Sequence, residues 1–127
     1  MIYDELYDLQ QYIVSQVGVN CEIGNADIDD TQYPFIKIMF EEDGEAHFML
    51  TKETSLDLPI TLRIIVQKGQ ELKAFKTLDN LVLKINQFND HKGHKLAGSI
   101  SPEYEEETKT YNIDVLYNLK IIIHDKE

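Results

Sequence analysis

Basic residues are scarce in this sequence: 12 Lys+Arg stand against 23 Asp+Glu, for a formal net charge of −11. Such a chain repels a phosphate backbone instead of releasing counterions from it, which argues against wrapping nucleic acid. Cysteine is scarcer still. With Cys21 alone the chain can form neither an intramolecular disulfide nor a zinc knuckle, and nothing in it demands an oxidising compartment. No His or Lys lies near Cys21 in sequence, so it reads as a buried structural thiol. No stretch approaches the roughly 18 apolar residues of a membrane span. Asp4 and Glu5 stand where a secretory signal needs a basic and then an apolar region. The expectation is a protein of the cell interior that makes no membrane contact.

What is present is the composition of a folded domain. Hydrophobic residues at 43% and charged residues at 28% match the globular norm. A chain of 127 residues makes one domain, 1–127, that buries roughly two-thirds of its unfolded surface.

Ile2, Leu6, Leu9, Ile13 and Val17 recur at steps of four, three, four and four, the stripe of an amphipathic helix that Gly18 ends. The acidic, turn-rich VNCEIGNADIDDTQYP reads as a loop with room for one short strand. From Pro34 the period changes to two: Ile36, Ile38 and Phe40 alternate with Lys37, Met39 and Glu41, a half-buried strand. Glu42-Asp43-Gly44 then turns the chain. A two-residue loop there scatters the apolar residues over both faces. A three-residue loop with Gly44 left-handed pairs Phe40 with Ala46, Ile38 with Phe48 and Ile36 with Leu50 on one face, and this is the expected register.

Leu58, Ile60, Leu62, Ile64 and Val66 alternate with Thr61, Arg63 and Ile65 to predict a further strand, with Pro59 near its start or on an edge. After Lys68-Gly69, the run QELKAFKTLDNLVLKINQF puts Leu72, Phe75, Leu78, Leu81, Val82, Ile85 and Phe88 on one broad helical stripe of about five turns. KLAGSIS has room for a short strand before the acidic tip SPEYEEETK. Tyr111, Ile113, Val115, Tyr117, Leu119, Ile121 and Ile123 then form one apolar face of a strand that reaches roughly 40 Å, long enough to bend or to project past the domain. The predicted order is helix, two- or three-stranded meander, helix and terminal hairpin. That is an α+β domain: a mixed or antiparallel sheet of about four to five strands with two helices packed on one face.

Residues capable of chemistry do not assemble into a site. His47, His91, His94 and His124 include one close pair, and His91 and His94 flank Lys92-Gly93 in a helix-exit loop with no metal-ligand spacing. Asn25, Asp27 and Asp29 occupy the first odd positions of a calcium loop, but Asp30 stands where the sharp turn needs Gly, and Ile36 where a bidentate Glu is required. Glycine-rich phosphate loops and serine nucleophile elbows are absent. Glu41/Glu42 and Glu105/Glu106/Glu107 belong to charge runs, not to the apolar pockets that raise a catalytic carboxyl. No catalytic residue, metal or cofactor is expected.

Candidate contact residues are of two kinds. Tyr3, Tyr7 and Tyr12 share a helix with acidic neighbours, and Tyr111 and Tyr117 lie on the apolar face of the final strand, where amphipathic rings suit a core or an interface. Leu116 and Ile122 fall on that strand's polar face, and apolar residues there point to a partner surface. Leu116, Ile122 and Tyr117 are therefore the candidate subunit contacts.

The chain as a whole resembles the small tail-terminator, or tail-completion, proteins of long-tailed bacteriophages. The likeness lies in the opening helix IYDELYDLQQYI, in the hairpin and third strand ending in LPITLRIIVQ, in the long helix ELKAFKTLDNLVLKINQF and in the closing alternating strand YNIDVLYNLKIII. It implies a non-enzymatic virion subunit, assembled in the host cytoplasm as a ring of its own copies, usually a hexamer. Such a ring caps the tail tube protein and meets the head connector or stopper protein, while DNA passes through without specific binding. An acidic bore would suit that passage, and Asp27, Asp29, Asp30, Glu103, Glu105, Glu106 and Glu107 are the candidate lumen or rim residues. Another head–tail neck or minor virion protein is an alternative reading. So is a small acidic protein that mimics nucleic acid and inhibits a basic partner.

Overall fold

The structure, a computed structural model, describes residues 2–24, 33–40, 49–52, 55–88 and 95–122. Helix α1 (Ile2–Tyr12) runs on into a single π-helical turn, Ile13–Val17. Leu6, Leu9 and Ile13 are buried, as the sequence stripe predicts. Gly18 stops the helix at φ 82°, and its N–H donates to the Ile13 carbonyl at 3.2 Å. A residue with a Cβ adopts that left-handed backbone only at a cost.

The strands are β1 (Asn20–Ile23), β2 (Phe35–Met39), β3 (Met49–Lys52), β4 (Ser55–Gln67), β5 (Lys95–Glu105) and β6 (Thr110–Ile122). They form one six-stranded sheet whose main path is β1-β2-β4-β6-β5, with β3 paired to β4. It is mixed, because β1 runs parallel to β2 while the other pairs are antiparallel. The α+β class and the two helices on one face stand. The count rises above five because 20–23 and 49–52 both join the sheet.

The expected hairpin between β2 and the strand after it does not form. Ile36 lies between Cys21 and Ile64, and Ile38 between Ile23 and Leu62, so both edges of β2 are taken and neither residue is free to pair with Leu50 or Phe48. Instead β3 pairs with the first part of β4, Met49 opposite Asp57 and Lys52 opposite Ser55. Pro59 falls between these stretches, where neither β2 nor β3 pairs with β4, a place that tolerates its missing donor. The Gly44 turn and Phe48 lie outside the described residues.

Strand β6 does not project. It is paired with β4 along its whole length, from Thr110 opposite Gln67 to Ile122 opposite Ser55, because β4 is a 13-residue strand of equal reach. Phe40 also departs from expectation. Strand β2 ends at Met39, so Phe40 is exposed, while Met39 and Phe35 are buried on the opposite side from Ile36 and Ile38.

Helix α2 (Glu71–Phe88) starts after a turn that Gly69 makes at φ 91°. Its buried line is Ala74, Thr77, Leu81 and Ile85, with Leu78 and Phe88 packed beside it. Of the predicted stripe, Leu78, Leu81, Ile85 and Phe88 meet the core, while at its start Leu72 is 86% exposed and Phe75, 40% exposed, rests its ring near that of Tyr111. The small residues Ala74 and Thr77 take the buried places in its first turns. The Thr77 hydroxyl is satisfied by the Lys73 carbonyl at 2.9 Å.

Both helices cover the face formed by Cys21, Ile36, Ile38, Leu62, Ile64, Val66, Ile113, Val115 and Leu119, and make one core with it. They are tied to each other by Tyr12, whose hydroxyl donates to the Lys84 carbonyl at 2.7 Å and whose ring lies 4.8 Å from that of Phe88. Between β4 and β5, α2 carries the chain across the sheet, and β6 occupies the place between those two strands. No helix is long and apolar enough to cross a membrane among the described residues.

Candidate functional site

The face of the sheet turned away from the helices is built by the alternate residues of the same strands. Register places a polar row straight across it, from Glu22 through Lys37 and Arg63 to Asp114, with Ser101 at its end. At its centre Arg63 and Asp114 form a two-point ion pair, Nε to Oδ1 at 2.7 Å and Nη2 to Oδ2 at 3.0 Å. Both side chains are about a quarter exposed, so the fork geometry fixes direction more than it adds stability. The next row runs Asn20, Phe35, Ile65, Asn112 and Glu103, and a third holds Met39, Thr61 and Leu116.

One end of this face is hollowed. A depression of about 460 Å³ is lined by residues that include Lys37, Arg63, Ile65, Glu105, Thr110 and Asn112. Beside it the β5–β6 turn closes through Lys109 at φ 55°, whose carbonyl accepts the Lys68 N–H at 3.0 Å. The Lys68 ammonium lies 5.4 Å above the Tyr104 ring, a cation–π contact that joins this turn to the end of β4. Thr108 and Thr110 share a hydrogen bond between their hydroxyls at 2.7 Å.

The candidate contact residues divide sharply. Leu116 is 40% exposed on the outer face. Tyr117 is only 1% exposed and belongs to the core beneath the helices. Successive strand residues point to opposite faces, so if Leu116 faces outward Tyr117 cannot, and Tyr117 offers a partner no surface. Ile122 is paired with Ser55 at the far end of β6, and its side chain lies outside the described residues. Among the acidic candidates, Glu103 and Glu105 end β5 while Glu106 and Glu107 form the turn. Glu103, Glu106 and Glu107 are exposed and Glu105 is half-buried. Asp27, Asp29 and Asp30 lie outside the described residues, as do the four histidines.

Tyr3 and Tyr7 are exposed on α1 with their rings stacked at 6.2 Å. Among the described residues no three His, Cys, Asp or Glu side chains gather as metal ligands. Cys21 is buried, and that burial, with the Glu22 carboxylate beside it, pushes its thiol up to about 12. A thiol held protonated in this way is a packing group and a poor nucleophile. Sequence reasoning missed the Arg63–Asp114 pair and Asn112. Opposite charges within two long alternating strands were the available signal, but the pairing partners were not.

The chain is thus a small α+β domain that covers one face of its sheet with its own helices, while the other face carries both buried residues (Phe35, Met39, Ile65) and a partly exposed polar row among the described residues. No protein-family model and no curated protein matches the sequence. Its fold is similar to that of a chain in a structure described as "Virion of native gene transfer agent (GTA) particle". The likeness covers 95% of this chain and 91% of the other, at a TM-score of 0.51 and 9% sequence identity. It is a likeness of fold from end to end.

Proposed function

We propose that this chain is a structural subunit of a phage-like virion, a tail terminator that forms a ring on the end of the tail tube and joins the tail to the head connector. The observation that carries the proposal is the fold shared over 95% of the chain with a component of a gene transfer agent virion. The resemblance of its helices and strands to tail-terminator proteins narrows the role. The subunit works by packing and not by catalysis: its inner face is sealed, so its contacts with copies and neighbours fall on the outer face, on the exposed helix stripes or on the acidic turn. A ring of like subunits, hexameric on the family's pattern, needs heterologous contacts between different patches. The outer face around Leu116 is one such patch. An acidic bore near Glu103, Glu106 and Glu107 would let DNA pass without adhering.

Electron microscopy of tail tubes mixed with the purified protein tests this. Rings seated on tube ends support the proposal, and tubes left bare at high protein concentration would sink it. Leu116→Asp should leave the monomer folded, because the site is exposed. It should abolish rings, because a carboxylate desolvated at an interface costs several kcal/mol. Thermal melts with zinc, calcium and nucleotides check the non-enzymatic part, where a reproducible rise of several degrees would count against it.

A further inference from the structure

We infer that the depression on the outer face binds an acidic peptide segment of a partner protein, its backbone pairing with Asn112 and its carboxylate with Lys37. This holds whether or not the chain forms a ring.

The charge pattern points first. In a chain of net charge −11, Lys37 and Arg63 line the depression, and an adjoining hollow that shares Thr108 and Thr110 with it adds Lys68 and Lys109. Glu105 is the acidic residue lining it. Arg63 is already held by Asp114. Among the described residues Lys37 is half-buried with no ion pair or hydrogen bond, which leaves it to take a carboxylate. A basic pocket within an acidic surface attracts a short anionic segment locally, while the net charge of the whole molecule repels a long polyanion.

Asn112 supplies the second observation. It is 8% exposed, it lines the depression, and its Oδ1 has no hydrogen-bond partner among the described residues. A buried acceptor left unpaired is costly, and a ligand that supplies a donor removes that cost. Turning the amide about χ2, a broad two-fold torsion, brings either its oxygen or its nitrogen toward the depression. A side-chain amide offers one acceptor and two donors, the complement of a peptide group. A phosphodiester or a sulfate offers only acceptors and would leave Oδ1 unpaired. Ile65 adds an apolar wall, and about 460 Å³ lies within the roughly 300–1,000 Å³ of ligand pockets. A few residues of extended chain fit such a volume; a folded domain does not.

The test is a titration of the ¹⁵N-labelled full chain with the capped peptide acetyl-Ala-Glu-Ala-Glu-Ala-Glu-amide, followed by amide shifts. The expected result is movement at the Asn112 side-chain amide and at Lys37, Thr108 and Thr110, weakening as salt is raised. Lys37→Glu and Lys109→Glu should each weaken binding about tenfold, and Asn112→Leu about tenfold through the lost amide pairing. The spectra themselves report whether each variant is folded. Lys109 is fully on the surface, so its variant keeps the test valid if Lys37→Glu unfolds. The same peptide with Lys in place of Glu should leave these resonances still. Three outcomes would overturn the inference: equal binding of the Lys peptide, binding of a 12-base-pair duplex in place of the acidic peptide, or undiminished binding by both charge-reversed variants. A fourth is movement of the same resonances on concentrating the protein alone, abolished by Glu107→Lys, which would make the occupant a second copy's acidic turn.

Discussion

On one side of β4, Leu62, Ile64 and Val66 are wholly buried beneath two helices. On the other, Arg63 is tied to Asp114 and about a quarter exposed, Thr61 is half-buried and Gln67 exposed, with Ile65 buried among them. The same backbone and the same hydrogen-bond ladder serve both sides. What differs is the cover: the inner face is completed by the chain's own helices, and the outer face, where Phe35, Met39 and Ile65 are buried, also shows among the described residues a partly exposed polar row, an exposed leucine and an amide oxygen with no partner. A face finished from within can be read from hydrophobicity. A face that mixes buried and polar residues carries its information in the pairing of specific polar groups.

The contrast is broken most forcefully by truncation. Leu62→Ala, on the sealed side, should cost about 2–5 kcal/mol, because it removes buried methyl groups and leaves a cavity. Leu116→Ala, on the open side, should stay within about 0.5 kcal/mol. Urea denaturation of the two variants measures both; equal losses would mean that the chain itself covers Leu116. Asn112 gives a change of opposite sign. Replacing it by Val removes an unpaired buried acceptor and places a β-branched residue in a strand, so the unfolding midpoint should rise, by about 1 kcal/mol in stability. A clear fall would show that the amide is paired in solution.

The Arg63–Asp114 pair should be worth less. A double-mutant cycle with Ala at both positions should give a coupling of about 0.5–1 kcal/mol that shrinks in salt, as for partly exposed pairs. A coupling that salt does not change would mean that the outer face is far drier than the exposure of these side chains implies. Cys21 provides the finest test of the sealed side. Its folded thiol titrates near 12 against an ordinary value of 9.0, so its contribution is fully present below pH 9.0 and is lost as pH rises toward 12. The parent should therefore lose stability over that window more steeply than Cys21→Ala, as followed by urea midpoints. In the native state the thiol should not react with a disulfide reagent at pH 8, a condition below its ordinary value of 9.0.

The inner face was legible because alternation and hydrophobicity are sufficient there: Leu58 to Val66 and Ile113 to Leu119 lie as their parity predicts. Parity also separates Leu116 from Tyr117, which cannot share a face although both were candidates for contact. The β2 pairing was not legible. A turn rule weighs neighbours in sequence, whereas Ile36 and Ile38 found their partners in Cys21, Ile23, Ile64 and Leu62, and the length and apolarity of β4 outweighed the nearest turn. Helix α2 departs from its predicted stripe only in its first turns. Leu72 and Phe75 are more apolar than Ala74 and Thr77, but the smaller pair is the one buried there. The outer-face site was the least legible part, because Arg63 and Asp114 are 51 residues apart and only the β4–β6 register brings them together.

That register also sets a timetable. Strand β6 lies between β4 and β5 in the sheet but follows both in the chain, so each of them leaves synthesis with an open edge. Helix α2 can form early, since its contacts with itself are local, but the apolar residues of β4 have no full ladder until Thr110–Ile122 has emerged. Closing a sheet by such distant pairing is slow compared with forming a helix or a hairpin. Unpaired edges in the interval are the surfaces through which chains aggregate. A formal net charge of −11 makes copies of the chain repel one another, which opposes such association in the interval before the central strand arrives.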